Sequence, residues 1–205
     1  MNFCRIFLSF FLIFSQASAE LIDATLVTHA EKKYNVFAKN RFLDIKTSLL
    51  KDLKNAQVMK KLNVVNTWVN QIRYASDKKV YKKRDYWATL YQFVGKGKGD
   101  CEDYTITKYY ILKNLGVDIH RMKFAYVIYK NRRGKKISHM VLVYFKVAKP
   151  KSRKDILILG NNNRRVLPAS QRADIVKVIK MINGDTGAKS KKWKKLEANM
   201  KRKLL

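Results

Sequence analysis

The chain has 205 residues, 45 of them lysine or arginine against only 15 aspartate or glutamate, for a formal net charge of +30. Such a balance points to anionic partners: nucleic acid, a membrane surface or an acidic protein. The basic residues are spread along the whole chain, however, with no zinc-finger spacing, no RNA-binding aromatic signature and no internal repeat. A solvated lysine-rich surface is therefore the expected reading, and a nucleic-acid binder is the weakest one.

The chain opens with MNFCRIFLSFFLIFSQASAE, in which Arg5 precedes an apolar run over residues 6–14 and the small-x-small sequence Ala17-Ser18-Ala19. This pattern predicts a cleaved export signal over residues 1–19, since the run is too short to span a bilayer. Its removal would take Cys4 with it and leave Cys101 alone, so no internal disulfide is expected. In an oxidising compartment a lone thiol is either buried and inert or kept for its chemistry. One domain is expected over residues 20–187, followed by a basic tail over residues 188–205.

Between residues 41 and 72, Leu49, Leu53, Ala56, Met59, Leu62, Val65, Val69 and Ile72 recur at spacings of three and four. That stripe predicts one or two core-facing helices, with Trp68 packed beside it. A charged and aromatic stretch follows, ending in RDYWATLYQFVGKGKG. A helix is predicted over residues 101–115, with Asp100 as N-cap, Asp103 three positions on and Gly116 as the stop. Three strand-like runs come next, at residues 123–129, 137–145 and 155–159, the first two joined by the hairpin loop KNRRGKK. This order predicts an α+β fold with N-terminal helices and the cysteine helix packed on an antiparallel sheet. The tail has helical spacing at Trp193, Leu196 and Met200. A frayed, solvated terminus is expected there, with contact to an anionic surface as the alternative.

Cys101 falls in the first turn of its predicted helix, where free N–H groups and the positive end of the dipole favour a thiolate. Of the three histidines, His29 lies near the expected mature N-terminus and His120 in the turn after that helix. His139, at a strand start, is the natural general base. On spacing alone, a buried structural cysteine and a satisfied strand histidine fit equally well. Asp100, Glu102 and Asp103 oppose the chemical reading, because three carboxylates would raise the thiol pKa. N-capping accounts for some of them, but three in four positions exceed what a cap requires. Gly95, Gly97 and Gly99 suggest an open approach for a substrate backbone; GKGKGD lacks the arrangement of a phosphate-binding loop.

The blocks DYWAT, GDCEDY, HMVL and PASQR, in this order between residues 64 and 180, resemble the bacterial transglutaminase-like cysteine proteinases, and among them the LapG-type periplasmic proteases. The resemblance implies a papain/transglutaminase-like fold and peptide cleavage by a Cys–His–Asp triad, with Cys101 as nucleophile and His139 as base. It also implies calcium held by Asp100, Glu102 and Asp103, which would neutralise those carboxylates and fix the loop. The implied substrate is a large cell-surface adhesin cut near its N-terminus, which releases cells from a biofilm. An inner-membrane cyclic di-GMP receptor is the implied antagonist, and the periplasm the implied location.

One position departs from the pattern. Where the family has Leu-Asp-Asn after the third strand, this chain has Gly160 in place of the acid. The third triad member orients the imidazole, which glycine cannot do. Asn161 and Asn162 are the candidate replacements; in an unbroken strand Asn162 shares the side of residue 160 and Asn161 faces the other way. Trp87, with Asp85, is expected in the substrate groove or, equally, in the core. A catalytically impaired homologue that binds receptor or adhesin without cutting is the alternative function. Acyl transfer through the same thioester is a further one.

Overall fold

The computed structural model describes residues 20–184 and 190–203; the expected export signal, residues 1–19, lies outside the described residues. Helix formation starts at Asp23, whose carboxylate accepts the Leu26 N–H at 2.7 Å and opens α1 (Ala24–Lys33). Asn35 caps α2 (Val36–Asp44) in the same way, accepting the Ala38 N–H at 3.0 Å. The last turns widen into a π-helical segment, Ile45–Lys51, before α3 (Val58–Val69). The predicted apolar stripe is thus shared by two helices, and Leu49, Leu53, Leu62, Val65, Val69 and Ile72 are all buried. Met59 departs from it and is 43% exposed.

The short strands β1 (Arg73–Tyr74) and β2 (Lys98–Gly99) pair in parallel, and α4 (Asp77–Tyr81) and α5 (Leu90–Lys96) lie between them in sequence. The cysteine helix α6 (Cys101–Asn114) ends one residue short of its predicted limit, with Gly116 in the left-handed region at φ 76°. β3 (Met122–Lys130), β4 (Lys136–Phe145), β5 (Ile156–Leu159), β6 (Leu167–Pro168) and β7 (Ile175–Asn183) form an antiparallel sheet of order β6-β5-β4-β3-β7. The helix start, hairpin and first three of these strands follow the sequence pattern. β7 was not anticipated; it pairs along β3 with two register irregularities.

Alternation along the strands separates two apolar clusters. Phe124, Met140, Leu142 and Tyr144 join the main core under α6. Ala125, Val127, Val141, Val143 and Ile158 form a smaller cluster on the other face. His139 stands opposite Val127 and shares its parity with Val141.

The C-terminal segment corrects the expectation of a frayed terminus. Residues Lys191–Lys201 form α7, and Trp193 is fully buried, its ring 5.1 Å from that of Phe124, 6.1 Å from Tyr109 and 6.3 Å from Trp87. Leu196 and Met200 are buried beside it, while the lysines between them face solvent. No helix among the described residues is long and apolar enough to cross a membrane.

Lys108, two turns below Cys101 on α6, is fully buried, and its Nζ makes no hydrogen bond. Burial, reinforced by Arg172, holds its pKa well below the ordinary lysine value. The folded chain therefore carries a neutral amine where the unfolded chain binds a proton, so stability falls as pH drops below lysine's ordinary pKa. Lys108→Met is expected to be more stable than the wild type at neutral pH, with the gap narrowing steadily toward about pH 9, because the proton that only the unfolded chain binds is bound less favourably as pH rises. Urea unfolding at the two pH values checks this.

Candidate active site

The loop that delivers the cysteine is built by close packing. Gly97 ends α5 in the left-handed region at φ 62°, and Arg41 donates to the carbonyls of Val94 and Gly95 at 2.7 and 2.8 Å. A Cβ on Gly99 would sit 2.3 Å from Asp103 Oδ2, so glycine is what allows that carboxylate to reach the loop. The expected open path for a substrate at Gly95 and Gly99 is not there: Tyr34 and Asp103 fill the space.

Asp103 is fully buried and accepts N–H bonds from Ala88 at 2.9 Å and Asp100 at 3.3 Å, so it does cap the helix start. Asp100 accepts the Asp77 N–H at 3.3 Å, and Asp77 in turn accepts from Tyr86. Carboxylate oxygens of Asp77, Asp100 and Asp103 lie within 4.8 Å of one another, as do the ligand atoms of Asp100, Cys101 and Glu102. Asp100 belongs to both groups, with Glu102 in one and with Asp103 and Asp77 in the other. The place of Asp77 comes from the β1–β2 pairing, and nothing in the local sequence marks it.

These carboxylates lack counter-charges despite the basic composition. Among the described residues no lysine or arginine forms an ion pair with Asp77, Asp100, Glu102 or Asp103. Asp77 Oδ1 and Asp100 Oδ1 are buried with no hydrogen-bond partner. Burial, followed by the charges of Glu102 and Asp103, pushes the Asp100 carboxyl up to about 9. Burial also raises the Asp103 carboxyl well above the usual carboxylate range. Clustered carboxylates with partnerless oxygens have the chemistry of ligands for a hard divalent cation such as calcium.

The Cys101 thiol donates to Glu102 Oε2 at 2.8 Å. Burial and then Glu102 push its pKa well up, partly offset by the backbone N–H of Met140. Thr105 bonds the carbonyls of Cys101 at 2.8 Å and Met140 at 3.3 Å, tying the head of α6 to β4 one residue from His139. Burial lowers the His139 pKa to about 4, with Glu102 pulling the other way. The imidazole is therefore neutral at physiological pH, able to accept a proton, and its Nε2 is buried without a partner.

His139 and Trp87 line a cleft of about 660 Å³, together with Tyr126 and the second half of β7. Trp87 lines this cleft while packing edge-on against Trp193. Asp85 is exposed and pairs with Lys192 of α7. Beyond β5, Asn161 Oδ1 is buried without a partner, whereas Asn162 Oδ1 accepts from Arg172 at 3.1 Å. Arg172, 1% exposed, ends the PASQR block, and no local signal in the sequence marks it as a site residue.

Comparison with known proteins finds whole-chain similarity. Legionella pneumophila LapG is similar over 87% of this chain and 96% of its own, with 30% identity and a TM-score of 0.69. Its calcium-bound form matches with 26% identity over 85% of this chain and 97% of its own, at TM-score 0.67. The EGTA-treated form matches with 28% identity over 86% and 96%, at TM-score 0.68. No curated protein matches the chain. The expected α+β, transglutaminase-like fold is thereby supported at the level of whole structures. Residues 31–201 match the family described as bacterial transglutaminase-like cysteine proteinase, and the chain belongs to that family.

Proposed function

We propose that the protein is an exported, calcium-dependent cysteine endopeptidase of the periplasm, with Cys101 as nucleophile and His139 as general base. The observation that carries this reading is the placing of the thiol at the head of α6, against the Met140 N–H and one residue from a neutral histidine. Beside it lies a group of carboxylates with unpartnered oxygens.

Asp100, Glu102 and Asp103, with Asp77, would hold the calcium, and one of the similar LapG structures is a calcium-bound form. When bound, the ion supplies the positive charge that these buried carboxylates lack. Once Glu102 no longer accepts from the thiol, the helix N-terminus and the Met140 N–H favour the thiolate. His139 takes the thiol proton, and the sulfur attacks the scissile carbonyl carbon to form a thioester. The imidazolium then protonates the departing amine. Water, deprotonated by His139, hydrolyses the thioester and restores the thiol.

The substrate proposed is a large cell-surface adhesin, cut near its N-terminus so that biofilm attachment is released under an inner-membrane cyclic di-GMP receptor. The resemblance to LapG-type proteases supports this choice. Purified protein is expected to cleave an N-terminal adhesin fragment with calcium and to leave it intact with chelator. Cys101→Ala is expected to be inactive in both. Cleavage by Cys101→Ala, or undiminished cleavage after exhaustive chelation, would sink the proposal. A binding-only homologue is the second reading, favoured by Gly160 in the third-member position; a wild type that binds the fragment without cutting it would select that reading.

A further inference from the structure

A histidine that takes a proton from a thiol works best when its second nitrogen is held, because that bond fixes tautomer and ring plane. In this chain His139 Nε2 is buried and unpartnered, and the neighbouring strand offers glycine at residue 160. The group that could hold it must lie on the His139 face of the sheet.

β5 pairs antiparallel with β4, Leu159 standing opposite Leu142. One step further sets Gly160 against Val141, and two more would set residue 162 against His139 on the same face. The chain turns after Gly160, so beyond it the contacts and not the strand register place the side chains. A Cβ on Gly160 would lie 3.3 Å from Val141 Cγ1 and only 2.6 Å from Asn162 Oδ1. The Asn162 amide therefore fills the space that a side chain at residue 160 would occupy. Tyr129, whose ring lies 5.5 Å from the imidazole, shares a surface hollow with Asn162.

The amide is held from behind. Arg172 donates to Asn162 Oδ1 at 3.1 Å and is gripped by Asp174 through bonds of 2.8 and 2.7 Å. An amide oxygen accepts two hydrogen bonds, and Arg172 uses one. Asp174 and His139 also act on each other electrostatically, the carboxylate favouring the imidazolium while Arg172 opposes it.

We infer that Asn162 is the positioning residue for His139: its Oδ1 accepts the Nε2–H during turnover, and Arg172 with Asp174 fixes the amide. Asn161 is placed less well, because no described group holds its amide oxygen. The inference rests on His139 being the base. A neutral amide stabilises the imidazolium less than a carboxylate would, so the residue at 160 and the amide at 162 are exchangeable in one direction. Gly160→Asp combined with Asn162→Ala restores an acceptor in the same space and adds charge.

Two measurements test this on the full-length protein: adhesin-fragment cleavage, and the ¹⁵N spectrum of His139. Asn162→Ala is expected to lower kcat roughly 10²-fold at nearly constant KM. It is also expected to turn a single imidazole tautomer into a mixture. Gly160→Asp/Asn162→Ala is expected to recover at least the wild-type kcat and the single tautomer. An Asn162→Ala protein with wild-type kcat and an unchanged tautomer overturns the inference, as does a larger loss from Asn161→Ala. Should Asn162→Ala not fold, Asn162→Asp keeps the acceptor and the Arg172 bond, and loss of the single tautomer in that variant overturns the inference. The spectrum reads the positioning role even without cleavage, whereas a wild type that never cleaves counts against the protease reading alone.

Discussion

Replacing Trp193 by alanine is expected to destabilise the protein by about 3–5 kcal/mol, the range for deleting a buried aromatic side chain and leaving its cavity. The ring has no exposed surface and meets Trp87, Tyr109 and Phe124, which come from the cleft wall, the cysteine helix and β3. Loss of the indole would thus open a void between three elements that are far apart in sequence and have no short route to collapse together. Lys194, the exposed next residue, supplies the control, and its alanine variant is expected to stay within about 0.5 kcal/mol of the wild type. Urea unfolding with comparable slopes for both variants is the measurement. A loss below about 1 kcal/mol for Trp193→Ala would mean that α7 is a dispensable tail and not part of the core. Because Trp87 also lines the cleft, the variant is expected to lose cleavage activity before it unfolds.

Chelation of calcium is expected to slow alkylation of Cys101 by iodoacetamide at neutral pH by at least roughly 10²-fold. Only the thiolate reacts. Without a cation the thiol donates to Glu102 in a buried setting, and both burial and that carboxylate raise its pKa. Charge neutralisation by the ion removes the second cause and lets the helix end act, so reactivity rises with calcium. Glu102→Gln separates the causes. With the charge gone but the size kept, calcium-free alkylation is expected to speed up and its calcium dependence to shrink. Calcium should also raise the melting temperature, by the linkage of any ligand that binds only the folded chain. Equal alkylation rates with and without calcium would break the link between the acidic cluster and the thiol.

The local elements were legible because their signals are local. Asp100 and Gly116 bracket α6 through capping chemistry, and the apolar runs of β3, β4 and β5 mark strands buried largely on both faces. The same logic missed α1 and the start of α2, where the apolar positions Leu26, Val27, Ala30 and Ala38 are few. It also passed over β7, in which lysines interrupt the apolar residues of an edge strand. The basic C-terminal segment read as solvent-loving because lysines dominate its composition, although its three apolar residues sit at helical spacing.

By itself, then, the sequence determined the cysteine at a helix start, the histidine on a strand, the acids around the thiol and the missing acid at Gly160. Each is a matter of residue identity and short-range backbone preference. The tertiary structure alone decided that Asp77 joins the acidic group, that Trp193 closes the core and that Asn162, backed by Arg172, occupies the space above Gly160. The reason is physical: apart from Asn162 over Gly160, those contacts link residues 10 to about 100 positions apart. Their energy comes from burial and from pairing polar groups removed from water, which no window along the chain can contain.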